Sequence, residues 1–299
     1  SPTEFGNFAL ETFTVLDGGR KVAFRIAMHH QGTDSELRAF TRDAETVVRQ
    51  SRTIFGAFPA FDGGTYTFIV DYLPWAGADG MEHRNSTVLT SNNSLASARD
   101  QLIATASHEF FHSWNVGRIR PKSLEPFNPA DANVSRELWL AEGVTNYYGP
   151  LILQRAGLTD LTQFAETMAA AINAVTLGPV RRLRTVEDMS AMAPFVDAAT
   201  SIDRNNFGDT FISYYTWGEA IGLGLDLTLR DRTDGKVTLD HLMRALWQRF
   251  GTSGERVAGY VERPYTSEDV KTVLAEISGD PAFAAGFFAR YIQGHEIVD

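Results

Sequence analysis

His108-Glu109-Phe110-Phe111-His112 places two imidazoles four residues apart, which on a helix puts them on one face, within reach of a single metal ion. Each neutral imidazole offers one nitrogen, and Glu109, displaced by one residue, can reach a water in the open coordination position. The chemistry implied is attack of a zinc-activated water on a peptide carbonyl.

Two histidines and a water leave a tetrahedral zinc one protein ligand short. Cysteine is absent, and a third histidine at the metzincin spacing is excluded, because Asn115 and Arg118 stand where that pattern needs glycine and histidine. The remaining ligand should be a carboxylate. Glu142 is the best candidate: it is one acid in Leu138-Trp139-Leu140-Ala141-Glu142-Gly143-Val144-Thr145-Asn146-Tyr147-Tyr148, an otherwise apolar and aromatic stretch of helical character. An unpaired carboxylate is costly to bury there, and metal coordination removes that cost. The plainer reading of Glu142 is a helix-surface acid or cap. Asn146, one turn on, is placed to support the ligand by a hydrogen bond.

HEFFHSWNVGRIRP, beginning at His108, and LWLAEGVTNYY, beginning at Leu138, together resemble the glycyl aminopeptidase family of zinc metallopeptidases, grouped with gluzincins such as aminopeptidase N and thermolysin. The resemblance implies a thermolysin-like α+β catalytic unit and zinc as cofactor. Gly80-Met81-Glu82-His83-Arg84-Asn85-Ser86-Thr87 is similar to the segment with which gluzincin aminopeptidases hold a substrate's free amino terminus, and Glu82 would be the residue that does so. A carboxylate suits that task, since it gives an ammonium charge-assisted hydrogen bonds at a fixed distance from the metal. Taken alone, Glu82, His83 and Arg84 read as a polar strand edge with local ion pairs.

Ser213-Tyr214-Tyr215-Thr216-Trp217-Gly218 is similar to the segment in which these aminopeptidases place a tyrosine hydroxyl near the scissile carbonyl, three residues before a glycine. Tyr215 would donate to the developing oxyanion, with Tyr214 as the alternative. Trp217 stands where the family usually has lysine. A preference for Gly or Ala as the first substrate residue also follows from the resemblance alone. So do a β-rich domain before the catalytic unit and a PDZ-like domain after it, and the abrupt start at Ser1-Pro2 reads as a piece of a longer protein. Two rival readings keep the motif: an endopeptidase in which Glu82 is structural, and a catalytically silent binding module.

Composition bounds the rest. A chain of 299 residues with 43% hydrophobic content can bury a large core, and it has no apolar run long enough to span a membrane. The net charge of −10 argues against nucleic acid or an anionic membrane as partner, and Arg181-Arg182-Leu183-Arg184 reads as a solvated helix start. Peptides with a free amino terminus are the expected partners. Zero cysteines fit a cytoplasmic protein and a bacterial periplasmic or exported one equally.

Branched and aromatic residues around Leu16-Asp17-Gly18-Gly19 predict two strands between Phe8 and Met28, and Thr65 to Leu73 and Asn85 to Thr90 predict two more, with Glu82 near an edge. Helical spacing runs from Ser35 to a break at Gly56, and the metal helix is expected from Ala98 to Val116. Further helix starts are legible at Ser135, Thr185, Thr238, Thr266 and Asp280, and an apolar helix spans Glu219 to Arg230. The expected architecture is one catalytic unit over residues 1–299: a β-rich lobe to residue 95, a helical lobe from 96 and zinc at their junction. Of the other histidines, His29, His30, His241 and His295 are expected at the surface or in caps, and His83 as a hydrogen-bonded wall residue beside Glu82.

Overall fold

β1 (Ala9–Asp17) and β2 (Arg20–His30) form an antiparallel hairpin that turns at Gly18 and Gly19, whose φ angles of 57° and 85° suit residues without a Cβ. The 22-residue helix α1 (Asp34–Phe55) then crosses over, so that β3 (Thr65–Tyr72) returns parallel to β2. Thr33 and Glu36 start α1 with a reciprocal capping box, and Gly56 at φ 86° ends it. β4 (Asp79–His83) runs antiparallel to β5 (Ser86–Ser91), completing a five-stranded sheet of order β1-β2-β3-β5-β4. β4, which carries Glu82, is therefore an edge strand.

α2 (Leu95–Phe111) follows β5 and packs against α1. It is the expected metal helix with shifted ends. Ser94 supplies a cap that apolar spacing did not reveal, Ala98 kinks the first turn at φ −143°, and the helix stops at Phe111, leaving His112 in the C-cap position. α3 (Thr145–Arg155) continues without a break from a π-helical segment, Trp139–Val144.

The remaining helices are α4 (Leu161–Leu177), α5 (Val186–Ala191), α6 (Ala193–Val196), α7 (Phe207–Thr210), α8 (Tyr214–Arg232), α9 (Leu239–Leu246), α10 (Ser267–Ser278) and α11 (Pro281–Phe287). Capping boxes at Thr185, Thr238 and Thr266, and Asp280 before Pro281, start α5, α9, α10 and α11 as expected. Ser135 instead bonds the Glu137 amide at 3.2 Å, ahead of the π segment. α8 starts earlier than its apolar pattern suggested, because the Ser213 hydroxyl accepts the Tyr215 amide and adds a first turn made of Tyr214, Tyr215 and Thr216.

These features belong to a computed structural model that describes residues 2–196, 205–252 and 259–298. The chain divides into two compact units, Ser1–Gly117 with Tyr148–Leu161, and Arg118–Tyr147 with Thr162–Asp299. The sheet, α1 and α2 all belong to the first. Among the described residues no helix is long and apolar enough to cross a membrane.

Candidate metal centre

In the first unit, the two phenylalanines of the His108–His112 pentapeptide are structural. Phe110 is fully buried on the sheet face, its ring 5.9 Å from Phe24, 5.1 Å from Tyr66 and 5.8 Å from Phe68. Phe111 lies 5.2 Å from Phe55 and stacks on Tyr148 at 4.5 Å. These aromatic contacts fix the rotation of α2 about its own axis. Ser107 donates to the Gly149 carbonyl at 3.1 Å, so that α2 also grips the part of α3 that lies in the same unit.

With α2 so oriented, His108 Nε2 and His112 Nε2 face each other at 3.0 Å. His112 Nδ1 lies 2.9 Å from the Asn115 carbonyl oxygen, which can only accept, so Nδ1 carries the hydrogen and Nε2 presents its lone pair. A bare imidazole nitrogen opposite a second one at this distance calls for a proton or a cation between them, and two imidazoles suit zinc. The chain beyond His112 is tightly wound: Val116 has φ 83°, an unfavourable value for a β-branched residue, and the Gly117 amide bonds the His112 carbonyl at 3.0 Å.

Glu82 and Glu109 converge on the same place. One carboxylate oxygen from each and a His112 ring nitrogen lie within 4.8 Å of one another. Glu82 pairs in register with Thr87, whose hydroxyl donates to the Met81 carbonyl at 3.0 Å and anchors the edge strand there. Gly80 lies over Glu109, and a Cβ at Gly80 would come 2.8 Å from Glu109 Cδ. Next to Glu82, His83 is half-buried, and burial holds its imidazole below the ordinary value while the Glu82 charge opposes the shift.

In the second unit, Glu142 and Tyr215 are brought into relation by a glycine crossing. A Cβ on Gly218 would meet the Gly143 Cα at 2.7 Å, and a Cβ on Gly143 would meet the Tyr214 carbonyl oxygen at 2.6 Å. The π segment and α8 thus touch backbone to backbone, with Glu142 immediately before one glycine and Tyr215 three residues before the other. Such π segments occur often at functional sites. Tyr214 is 4% exposed and Tyr215 is half-buried, so Tyr215 is the one of the pair with an accessible face. Trp217 is buried in the apolar packing of α8 rather than replacing a lysine in kind.

Asn146, expected to support Glu142, instead donates its amide to Glu219 Oε2 at 2.9 Å. Glu219 was missed because in sequence it is one acid in an apolar helix. Burial pushes its carboxyl up to about 7, with the Asn146 bond opposing. Tyr265 was also missed: burial, and then the charges of Glu137 and Glu142, hold its hydroxyl well above the ordinary value.

The remaining histidines mostly keep to caps. His241 closes the Thr238 capping box at 3.1 Å, the Gly32 amide bonds His30 Nδ1 at 3.1 Å, and His295 Nδ1 lies 3.0 Å from the Arg181 carbonyl oxygen. His29 departs from this pattern, with Nδ1 2.5 Å from Glu4 and 2.8 Å from Asp71.

The five-stranded sheet and the helices, among them the one that carries the His-Glu-x-x-His motif, make a mixed α/β fold. More narrowly, residues 101–221 match the family described as M61 glycyl aminopeptidase, a span that includes His108, Glu109, His112, Glu142 and Tyr215 and leaves Glu82 outside. Solved structures share the fold. An aminopeptidase N family protein from Idiomarina loihiensis superposes with a TM-score of 0.81 at 24% identity, over 97% of this chain and 48% of that one. An M1 zinc metallopeptidase from Deinococcus radiodurans gives 0.58 at 16%, over 96% and 53%. Aminopeptidase A of Legionella pneumophila, in complex with aspartic acid, gives 0.59 at 14%, over 97% and 28%. The chain thus spans about half the length of the Idiomarina protein. No curated protein sequence matches it.

Proposed function

We propose that this chain is the catalytic part of a zinc aminopeptidase that removes the first residue of peptides, with His108, His112 and Glu142 as the metal ligands. Two imidazoles and one carboxylate are the donor set of a catalytic zinc that keeps one position open. Bound there, the ion would lower the pKa of a water toward neutrality and polarise the substrate carbonyl. Glu109 takes the proton of the attacking water and returns it to the departing amine. Tyr215 donates its hydroxyl to the oxygen that becomes negative in the transition state.

The observation that carries the exopeptidase reading is the position of Glu82. Its carboxylate lies beside both Glu109 and His112, so a substrate ammonium bonded to it would stand next to the group proposed as the base. A preference for Gly or Ala as the residue removed is part of the same proposal, and the name of the matched M61 glycyl aminopeptidase family supports the first of the two.

The test is hydrolysis of Gly- and Ala-p-nitroanilide beside their N-acetylated forms, with Glu109→Gln and zinc-stripped protein as controls. Cleavage of the free amines alone, dependent on zinc and Glu109, is expected. Equal cleavage of the acetylated substrates would make the protein an endopeptidase with a structural Glu82, and no cleavage by zinc-loaded protein would make it a silent module.

A further inference from the structure

Glu219 is a buried acid that the proposed chemistry does not use. It is 6% exposed on α8, one turn after Tyr215, and it receives the Asn146 amide at 2.9 Å. Asn146 lies one turn after Glu142 on the facing helix. The same two helices touch at Gly143 and Gly218, and the Tyr147 hydroxyl donates to Asp226 Oδ2 at 2.9 Å further along, so the Asn146–Glu219 bond is the side-chain tie between them that lies next to Tyr215. A crossing through two glycines has no side chains to interlock at that point, and the Tyr147–Asp226 bond holds the helices at a distance of nearly two turns from Glu219. The hydrogen bond from Asn146 to the buried Glu219 carboxyl, one turn from Tyr215, restrains the helices locally beside that tyrosine.

We infer that Glu219 is a positioning residue: through Asn146 it locks the helix bearing Tyr215 against the helix bearing Glu142 and so sets where the Tyr215 hydroxyl stands. This rests on the reading of Tyr215 as the oxyanion donor. A carboxyl is an expensive group to bury for packing alone, and here burial already pushes it up to about 7. Its neutral amide counterpart, glutamine, keeps an oxygen to accept from Asn146.

Two measurements decide it. The first is independent of catalysis: denaturant unfolding of Asn146→Ala, Glu219→Ala and the double variant. A double variant that loses clearly less than the sum of the singles is expected, and additive losses would overturn the tie. The second is kcat and KM on Ala-p-nitroanilide for Glu219→Ala and Glu219→Gln, each in wild-type and Tyr215→Phe backgrounds. Glu219→Ala is expected to lower kcat roughly tenfold or more with KM little changed, as for an interaction realised in the transition state. Glu219→Gln should recover most of the rate, and Glu219→Ala should cost nothing further once Tyr215 is Phe. An equal loss in both backgrounds, or a Gln variant as impaired as the Ala variant, would overturn the inference. A wild-type protein inactive on free-amine substrates counts against the aminopeptidase reading instead, and the unfolding cycle then decides the tie.

Discussion

Gly80 on the edge strand and Glu109 on α2 are packed so closely that a methyl group at residue 80 would stand 2.8 Å from the Glu109 carboxyl carbon. Contacts this short do not persist, so Gly80→Ala must displace either β4 or the Glu109 side chain. Because misplacing a reacting group by about 1 Å can lower a rate by roughly a hundredfold, kcat of Gly80→Ala should fall by that order. Zinc content, measured by atomic emission, should stay near that of the parent.

Glu109→Gln keeps the size of the side chain and removes the carboxylate proposed as the base. General acid–base groups contribute roughly 10²- to 10⁴-fold, so kcat should fall within that range while zinc stays bound and the unfolding midpoint moves little. Chelation of the metal should abolish hydrolysis and added zinc should restore it in the parent but not in this variant.

The role proposed for Glu82 separates exo- from endopeptidase action. Removing a hydrogen bond to a charged partner costs about 1.5–3 kcal/mol, so Glu82→Ala should lower kcat/KM for free-amine substrates by roughly ten- to a hundredfold. N-acetylated substrates, which lack the ammonium, should show no matching loss.

Glu219 gives the fold a pH dependence whose sign is fixed. Its carboxyl is raised from 4.5 to about 7 in the folded protein, so between these values the folded state holds a proton that the unfolded chain has lost. Stability from this group is intact below pH 4.5 and declines as pH rises through 7, by up to about 3 kcal/mol at about 1.4 kcal/mol per unit. Denaturant unfolding between pH 5 and 8 should show a shallower decline for Glu219→Gln than for the parent.

Phe110 fills the centre of an aromatic cluster, and Phe110→Ala should destabilise the fold by about 3–5 kcal/mol, read as a lowered unfolding midpoint. Glu109→Gln, its neighbour, should leave that midpoint nearly unchanged.

The histidine pair and Glu109 were legible because helix periodicity alone places residues 108, 109 and 112 relative to one another, and the sheet was legible from alternation in segments such as Thr65–Tyr72. Glu82 was visible only through resemblance, since an acid on a strand says nothing about what faces it. The Asn115 carbonyl that sets the His112 tautomer could not be foreseen, because every residue has a carbonyl and only the tight turn after His112 aims this one. Gly143 with Gly218, and Asn146 with Glu219, are pairings between segments far apart in sequence, and no local pattern marks either. The end of α2 at Phe111 was likewise hidden, since apolar spacing continues through Trp114 to Val116, where the backbone turns.

The pentapeptide at the end of α2 divides two employments: residues 108, 109 and 112 face the proposed metal site, while Phe110 and Phe111 are among the most deeply buried side chains of the protein. A mutational screen scored only by product formed would therefore draw the active centre too large, counting as chemical the losses at 110 and 111 that come from unfolding. Scoring the same variants by both product and folded fraction would split five adjacent positions into two classes, and the border between the classes would trace the face of the helix that substrate can see.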